Sequence, residues 1–372
     1  MLRTVAALAG LVILTCTPCG AWEMESFLIG VWGQPGDDIA ASAFRRAGFT
    51  TVFATPETLD LCKRHGLTVL LKNYSPEQVN ALRDDPAIWG YFVHDEPKAE
   101  QFEEVGRKVA ALHETDPSRP AYVNLMAWMN LDDYIAKVQP RVLSYDYYQW
   151  WWGTENHIWR LEAHRAAALK AGIPLVCWIE GNADKRWEWG EKGQTTLPDN
   201  GPKLRQSVYT SLAYGVKGVL WFNDYVIFEH GSGRKMRPQL RKGGKDVAQL
   251  NREMQAMGPE LVRLQSVDVV HTDPVPKNAR GIGPDCPVQL QGRELTLGLF
   301  EDPEGRTLAM IVNRSITRPS YAILRFPQAH AMQFDRERVR WECMSPPARP
   351  GTAEMILQPG DGVLLRLEAQ GR

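Results

Sequence analysis

The sequence predicts a (β/α)8 barrel (TIM barrel), an α/β fold, followed by a small all-β domain. Eight apolar runs of strand length recur between Phe27 and Phe222, and each is followed by a stretch with helical periodicity. The runs are continuously apolar, as the strands of a buried parallel sheet are. After Ser266 the pattern changes to short strands between Gly, Pro and Asp turns. We therefore predict a barrel over 22–264 and a β-sandwich domain over 265–372.

The predicted elements follow one another regularly along the chain. The strands are FLIGVWG at 27–33, TTVFATP at 50–56, LTVLLKN at 67–73, WGYFVHDEP at 89–97, AYVNLM at 121–126, VLSYDYYQW at 142–150, PLVCWIE at 174–180 and VKGVLWF at 216–222. The helices occupy 37–48, 57–66, 100–114, 132–138, 157–172, 203–215 and 246–264, and one more begins at Ser75, where Pro76 suits the first helical position. A doubly wound sheet is the alternative, but GVWGQPG after the first strand lacks the Gly-rich dinucleotide spacing.

Composition and charge are those of an ordinary globular protein. The 372 residues are 44% hydrophobic and 23% charged, with a net charge of -1. This balance gives no general attraction to nucleic acid, which we do not expect as a partner. The densest basic cluster, Arg234 to Lys245, is interrupted by glycines and predicts a solvated loop. Beyond the N-terminus we expect no membrane span, because no segment is long and apolar enough.

The N-terminus has the pattern of a signal peptide. Arg3 precedes an apolar stretch from Val5 to Leu14, and small residues follow up to Ala21. We predict a signal peptide over 1–21, cleaved near Ala21, and a secreted or periplasmic mature chain. Lipoprotein anchoring at Cys16 or Cys19 is the less favoured alternative, because neither cysteine directly follows a Gly, Ala or Ser.

Four cysteines lie beyond the predicted signal peptide. Cys62 and Cys177 fall in helix-like and strand-like stretches and are predicted to be small buried core residues. Cys286 and Cys343 share the all-β region and could form a disulfide in an oxidising compartment. The cysteine spacing does not resemble a zinc site, and we expect neither a metal nor a cofactor.

Catalytic groups of (β/α)8 barrels stand at the carboxyl ends of the strands. Two glutamates end otherwise apolar runs here, Glu96 after the fourth strand and Glu180 after the seventh, and we predict that they are the catalytic pair. Other strand-end and neighbouring residues are predicted to bind substrate: Asp95, Trp32, Lys72, His94, Asn124, Asp146, Tyr147, Trp178 and Trp221. Glycoside hydrolysis needs two carboxyl groups, one to protonate the leaving oxygen and one to attack or stabilise the anomeric centre. A separation of about 5–5.5 Å between them favours retention, and about 6.5–9.5 Å favours inversion.

Tryptophans are frequent near the ends of the last three predicted strands. The cluster comprises Trp150, Trp151, Trp152, Trp178, Trp187, Trp189 and Trp221. Sugar rings pack on aromatic planes while their hydroxyls bond to polar neighbours, so we predict an oligosaccharide or a glycoside as the substrate. The loop over 181–202 is long enough to cover such a cleft. The run at 150–152 could instead contact the all-β domain.

Each of the main candidates also has a simpler interpretation. Glu96 precedes Pro97 and could stabilise the start of a helix, and Glu180 could be a surface charge in a turn. His94 is expected to support its neighbours through hydrogen bonds, without a catalytic role of its own. Lys72 could bind substrate or form a salt bridge with a carboxylate.

The order of elements and the two strand-end glutamates resemble clan A of the glycoside hydrolases, the four/seven superfamily of retaining enzymes. The resemblance implies that Glu96 is the acid/base and Glu180 the nucleophile. It also implies an aromatic residue of strand six beside the nucleophile, a tryptophan of strand eight beneath the sugar, and an accessory all-β domain. The candidates for these two aromatic positions are Tyr145, Tyr147 and Tyr148 on strand six and Trp221 on strand eight.

One residue departs from that family's pattern. The residue before the acid/base is usually Asn in clan A, and here it is Asp95. An Asp-Glu pair at this strand resembles the substrate-assisted hexosaminidases, in which the Asp orients an acetamido group and which would not require Glu180. A third hypothesis is a barrel that binds glycans but has lost hydrolysis.

Overall fold

Eight parallel strands form a closed barrel in a computed structural model that describes residues 22–183, 200–230, 236–328, 330–344 and 350–368. The strands are β1 Leu28–Val31, β2 Thr51–Ala54, β3 Thr68–Leu71, β4 Ile88–Asp95, β5 Ala121–Met126, β6 Leu143–Asp146, β7 Leu175–Glu180 and β8 Gly218–Phe222. Each pairs with the next in sequence, and β8 pairs with β1. The predicted fold class is confirmed. The predicted signal peptide over 1–21 lies outside the described residues.

Helices connect the strands around the outside of the barrel. They are α1 Asp38–Arg46, α2 Leu59–Arg64, α3 Pro76–Leu82, α4 Phe102–Thr115, α5 Leu131–Val138, α6 Gln149–Trp152, α7 His157–Ala171, α8 Asn200–Ala213, α9 Asp224–Ile227 and α10 Lys242–Leu261. Local signals fix their ends: the Ser75 side chain accepts from the N–H of Gln78 at the start of α3, and Gly172 ends α7 with a φ of 67°. Among the described helices, none has the length and apolarity that crossing a bilayer requires.

The barrel interior is filled by a largely aromatic cluster. Trp178 of β7 is 2% exposed and stacks on Phe53 of β2 with ring centroids 6.1 Å apart. Trp32 and Phe92 close the same cluster toward the barrel mouth. A second apolar layer lies between the outer faces of the strands and the helices. The barrel is therefore a packed core with its free space at the rim.

The segment after β8 is more ordered than the sequence suggested. A hairpin of β9 Phe228–His230 and β10 Met236–Leu240 leads directly into α10. The prediction of a solvated loop from Arg234 to Lys245 is therefore wrong over its described part. The three central residues of β10 are exposed and its two end residues are half-buried, which is why the segment lacked an apolar signal.

Two antiparallel sheets follow the barrel. The strands are β11 Gln265–His271, β12 Gln289–Gln291, β13 Leu295–Glu301, β14 Thr307–Asn313, β15 Ser320–Arg325, β16 His330–Asp335, β17 Arg340–Cys343, β18 Thr352–Leu357 and β19 Gly362–Glu368. The sheet orders are β11-β13-β14-β19-β16-β17 and β12-β15-β18, and their facing apolar side chains form a separate core. The strands β16, β17 and β18 have half-exposed residues that alternate weakly, so the sequence pattern does not identify them.

The β domain packs closely on the barrel. Gly298 of β13 lies so near the backbone of Ala213 in α8 that a side chain could not fit between them. Arg336 joins the two domains through an ion pair with Glu253 of α10 at 3.4 Å and another with Asp361 at 3.1 Å. Its guanidinium also bonds to the hydroxyl of Tyr209 in α8. These contacts fix the sandwich against one side of the barrel.

The described cysteines are all free. Cys62 and Cys177 are buried, as predicted. The suggested disulfide between Cys286 and Cys343 is not formed, because the two belong to different parts of the sandwich. Cys286 precedes β12 and bonds to the carbonyl of Val288, whereas Cys343 is exposed at the end of an edge strand.

Candidate active site

The fourth strand ends irregularly at the barrel mouth. Its register against β5 shifts between Phe92 and His94, so that Asp95 pairs with Asn124. Such a bulge redirects the side chains that follow it. Glu96 then adopts a left-handed backbone conformation with a φ of 49°, and its N–H bonds to the carbonyl of Asn124 at 2.9 Å. This conformation costs a non-glycine residue about 1–2 kcal/mol and is typical of functional positions.

Glu96 and Asp146, the last residue of β6, form a pair of carboxyl groups. Asp146 is 2% exposed. Its burial, a side-chain hydrogen bond with Glu96 and the negative charges of Glu96 and Asp95 raise the pKa of Asp146 well above its usual range. Two carboxyl groups can share a hydrogen bond only when one of them is protonated, so the nearness of Glu96 favours the protonated form of Asp146.

Glu180 is fully buried at the end of β7, and its side chain is 0% exposed. Its Oε1 accepts a hydrogen bond of 2.9 Å from the backbone N–H of Trp150, at the start of α6. Burial raises the pKa of Glu180 to about 8, and the bond from Trp150 opposes that rise. Its Oε2 is buried without a hydrogen-bond partner among the described residues. Glu180 is therefore not a surface charge, and one oxygen is available for a new partner.

Asp95 is held by the neighbouring strand. The residue as a whole is exposed, but its Oδ1 accepts a bond of 3.2 Å from Nδ2 of Asn124, which is 3% exposed. Partial burial of the carboxyl group raises the pKa of Asp95, the bond from Asn124 opposes the rise, and the charge of Glu96 adds to it. Asn124, which is buried in the neighbouring strand, thus binds one oxygen of the Asp95 carboxyl group.

Tyr148 lies within electrostatic range of all four carboxyl groups. Burial and the charges of Asp146, Asp95, Glu96 and Glu180 raise its pKa far above the usual value. The charges of carboxyl groups at the ends of β4, β6 and β7 thus all act on a single ring. The strand ends converge as the barrel topology predicts.

Phe222 is a site residue that the sequence analysis missed. It pairs in register with Glu180, and its ring stacks on Tyr148 with centroids 5.2 Å apart. Trp221, which was predicted to bind substrate, points out of the barrel, is 0% exposed and donates to Oδ1 of Asn251 in α10 at 2.7 Å. This prediction is corrected, because successive residues of a strand face opposite sides. Phe222 lies opposite the inward-facing Glu180 in the pairing of β7 with β8, and this register identifies Phe222 as the strand-eight residue that faces the site.

Three other aromatic candidates have contacts with groups other than the four carboxyl groups. Trp178 is 2% exposed in the barrel interior and donates from Nε1 to the hydroxyl of Tyr122 at 2.9 Å. Tyr147 is 6% exposed and donates its hydroxyl to the carbonyl of Gly153 at 2.8 Å. Tyr145 packs outside the barrel. Trp178 therefore lies under the site and does not line it, and of the strand-six tyrosines it is Tyr148 that stands among the acids.

Trp32 and Lys72 line a neighbouring cavity of about 690 Å³ at the same rim. Its other walls include Gln34, Phe53, Asn73, Phe92, Asp224, Tyr225 and His230. Nζ of Lys72 lies 5.9 Å from the Phe53 ring, and partial burial lowers the pKa of Lys72. The cavity combines aromatic walls with hydrogen-bonding groups, and none of the four carboxyl groups is among its lining residues.

His94 supports its own strand end. One ring nitrogen, Nδ1, is 2.8 Å from the carbonyl oxygen of Asp95, and Nε2 is 3.4 Å from the side chain of Gln101. These contacts match the supporting role expected of it. Among the described residues, no group of three or more His, Cys, Asp or Glu side chains is arranged to hold a metal ion.

The tryptophan run at 150–152 packs within the barrel domain. Trp150 donates from Nε1 to Oγ of Ser207 at 3.0 Å, and Trp151 donates to the carbonyl of Asn182 at 2.8 Å. Trp152 contacts Trp128, which is 50% exposed, with ring centroids 5.7 Å apart. Trp187, Trp189 and most of the predicted covering loop lie outside the described residues.

Comparison with known proteins finds solved structures of similar fold but no match by sequence. No family model matches the chain. No curated protein matches it either. Among solved structures, a glycoside hydrolase superposes with a TM-score of 0.59 at 11% identity, covering 93% of each chain. A glycoside hydrolase family 5 protein from Bacteroides vulgatus gives 0.58 at 11% identity, covering 96% of this chain and 92% of that one.

A more distant solved structure covers the chain equally well. A family 27 β-L-arabinopyranosidase from Geobacillus stearothermophilus, in complex with arabinose, gives a TM-score of 0.53 at 9% identity, covering 93% of this chain and 98% of that one. At these identities the comparisons confirm the fold, a barrel with a C-terminal sandwich shared with glycoside hydrolases, across nearly the whole chain.

Proposed function

We propose that this chain is a glycoside hydrolase whose reaction takes place among Asp95, Glu96, Asp146 and Glu180. The observation that carries the proposal is the convergence of carboxyl groups from β4, β6 and β7 around Tyr148. Asp146, whose protonated form is favoured, and the buried carboxyl group of Glu180 would meet the two requirements of glycosidic bond cleavage, a proton source and a second carboxyl group. The likeness of the whole fold to solved glycoside hydrolases supports the same reaction class.

In the proposed mechanism, Glu96 shares a proton with Asp146 and donates it to the leaving oxygen. The bond between that oxygen and the anomeric carbon breaks, and its electron pair passes to the oxygen. Glu180 loses its proton to solvent and then, as a carboxylate, bonds to the anomeric carbon through one oxygen. Water later displaces it while Glu96 accepts the proton of the water. Two successive displacements retain the configuration of the sugar.

The burial of Glu180 bears on its role in this mechanism. With a pKa of about 8, a large fraction of Glu180 is protonated in the free protein at neutral pH. Positive charge that develops at the anomeric carbon favours the ionised form, in a site where few waters compete with it. The interaction is therefore stronger in the transition state than in the free protein, as catalysis requires.

A second candidate is substrate-assisted cleavage of an N-acetylhexosaminide by Asp95 and Glu96. The observation that favours it is the complete burial of Glu180, together with the bond by which Asn124 orients Asp95. In this mechanism the acetamido oxygen of the substrate bonds to the anomeric carbon, and Glu180 has only a structural part.

The test is hydrolysis of a panel of aryl glycosides, including N-acetylhexosaminides, and of plant and bacterial glycans. Glu96→Gln is expected to lower the rate by about 100-fold or more on cleaved substrates whose leaving group needs protonation, and Glu100→Gln, at an exposed position on the following turn, is the matched control. Full activity of both Glu96→Gln and Glu180→Gln would refute the proposal. Loss in Asp95→Asn with full activity in Glu180→Gln would select the substrate-assisted mechanism.

The same panel tests the hypothesis of a glycan-binding barrel. Thermal stabilisation by a sugar with no product from any substrate would favour binding without hydrolysis. The cavity lined by Trp32 and Lys72 supports a carbohydrate as the ligand in either case.

Export is proposed from the N-terminal pattern alone. Expression of the full chain with cell fractionation and N-terminal sequencing tests it. A mature N-terminus near Trp22 in the periplasm or the medium is expected, and an intact N-terminus in the cytoplasm would contradict it.

A further inference from the structure

A continuous chain of hydrogen bonds crosses the barrel interior and ends at Asp95. Nε1 of Trp178 donates to the hydroxyl of Tyr122 at 2.9 Å, and that hydroxyl lies 2.6 Å from Oγ of Ser144. Ser144 bonds to Oδ1 of Asn124 at 3.1 Å, and Nδ2 of Asn124 bonds to Asp95 at 3.2 Å. The four residues before Asp95 are each at most 3% exposed. Strands β7, β5, β6 and β4 all contribute to the chain.

The chemistry of its first member gives the chain a direction. An indole N–H can only donate, so the Tyr122 hydroxyl accepts from Trp178 and has its own proton left for Ser144. Ser144 accepts that proton and donates its own to Oδ1 of Asn124. The amide then presents Nδ2, a donor, to Asp95. A carboxylate, which only accepts, completes the sequence.

The opposite direction leaves a buried group unsatisfied. If the Asn124 amide were rotated, Oδ1 would face Asp95, and Nδ2 would donate to Ser144. Ser144 would then donate back to Tyr122, which already accepts from Trp178. The Tyr122 proton would have no acceptor in a fully buried position, which is unfavourable. The rotated arrangement also requires a protonated Asp95, since two acceptors would otherwise face each other.

We infer that the chain of hydrogen bonds that runs from Trp178 through Tyr122 and Ser144 to Asn124 holds Asp95 at the barrel mouth as an ionised hydrogen-bond acceptor. Asn124 is the positioning residue in contact with Asp95, and Tyr122 and Ser144 fix the orientation of its amide. The inference rests on the proposed function in one respect: it makes Asp95 the acceptor for a substrate hydroxyl or amide N–H and leaves proton donation to the pair of Glu96 and Asp146.

Several charged groups also act on Asp95, and the effect of the chain is measured against them. They are His94 on its own strand, Glu96 directly after it and Asp146 on β6, and the neutral hydroxyls of Tyr122 and Tyr148 also face it. The negative charge of Asp95 in turn strengthens proton binding at Asp146. By keeping Asp95 ionised, the chain therefore helps the neighbouring pair to retain its proton.

The test is a ¹³C NMR titration of the Asp95 carboxyl group, assigned by its loss in Asp95→Asn, in the full mature chain. Tyr122→Phe and Ser144→Ala each remove one hydroxyl of the chain. Tyr134→Phe is the matched control, because the Tyr134 hydroxyl is equally buried but has no partner among the described residues. We expect the Asp95 pKa to rise by about one unit, a tenfold change in proton affinity, in both test variants and to stay unchanged in the control.

Unchanged titration of Asp95 in both Tyr122→Phe and Ser144→Ala would overturn the inference, and so would an equal rise in Tyr134→Phe. The titration needs no substrate, so it gives a result even if no glycoside is hydrolysed and the proposed function fails.

Discussion

Glu180→Gln should abolish most activity and yet make the protein more stable at alkaline pH. Glu180 is 0% exposed, and its burial disfavours the charged form. Glutamine has nearly the same shape, keeps an oxygen that can accept from the Trp150 N–H, and carries no charge. The substitution therefore removes the electrostatic cost of Glu180 with little change in packing.

The structure gives the size and the sign of this effect. The pKa of Glu180 rises from 4.5 to about 8 on folding. A rise of about 3.5 units at about 1.4 kcal/mol per unit gives about 5 kcal/mol as an upper bound. Because the folded state binds the proton more tightly, this stabilisation is complete below the unfolded-state pKa and is lost as the pH rises toward 8. Glutamine does not titrate and shows no such loss.

The measurement is urea unfolding of wild type and Glu180→Gln at pH 4, 6 and 8, with Glu100→Gln as an exposed control. The two proteins should have similar free energies of unfolding at pH 4, and the variant should be the more stable by several kcal/mol at pH 8. The control should follow wild type throughout. A difference that does not change with pH, or a variant that is less stable at pH 8, would refute the assignment of Glu180 as a buried group with a raised pKa.

Three other substitutions test separate parts of the structure. Phe222→Ala should lower kcat/KM by about tenfold, because it removes the ring beside Tyr148. Trp221→Phe should lower the free energy of unfolding by about 1 kcal/mol, because it removes the indole hydrogen bond, and should leave kcat/KM unchanged. Equal effects of the two substitutions on kcat/KM would contradict the corrected orientation of Trp221. Arg336→Ala should lower the free energy of unfolding by about 2 kcal/mol in urea titrations, because it leaves its two carboxylate partners unpaired at the domain interface; no change in stability would rule out that role. Asp146→Asn should move the alkaline limb of the kcat/KM profile to lower pH, because it removes the acidic group whose pKa is raised beside Glu96; an unmoved limb would show that the pair does not hold the catalytic proton.

The barrel and its two glutamates could be predicted from the sequence because both depend on local patterns. Each strand is an apolar run of limited length, and Glu96 and Glu180 interrupt such runs at their ends. The side chains of Trp178 and Glu180 lie two residues apart on β7 and therefore share a strand face, and both are buried. The spacing of residues along the sequence was sufficient for features that depend on a single strand.

The features that were missed depend on contacts between strands. The bulge between Phe92 and His94 comes from the pairing of β4 with β5 and has no sequence signal of its own. The pair of Glu96 and Asp146 requires the relative positions of β4 and β6. Trp221 was assigned to the site by resemblance to a tryptophan of strand eight, but its register against β7 places its side chain on the outer face of the barrel.

The central claim is that Glu96 donates a proton to the leaving oxygen, and dependence on the leaving group tests it most directly. The measurement is the ratio of kcat/KM between wild type and Glu96→Gln for two glycosides of the same sugar, one with a dinitrophenyl and one with an alkyl leaving group. The first leaves without protonation, so a ratio under about 10 is expected for it and a ratio above about 100 for the second. Equal ratios for the two substrates would contradict the assignment of Glu96 as the proton donor.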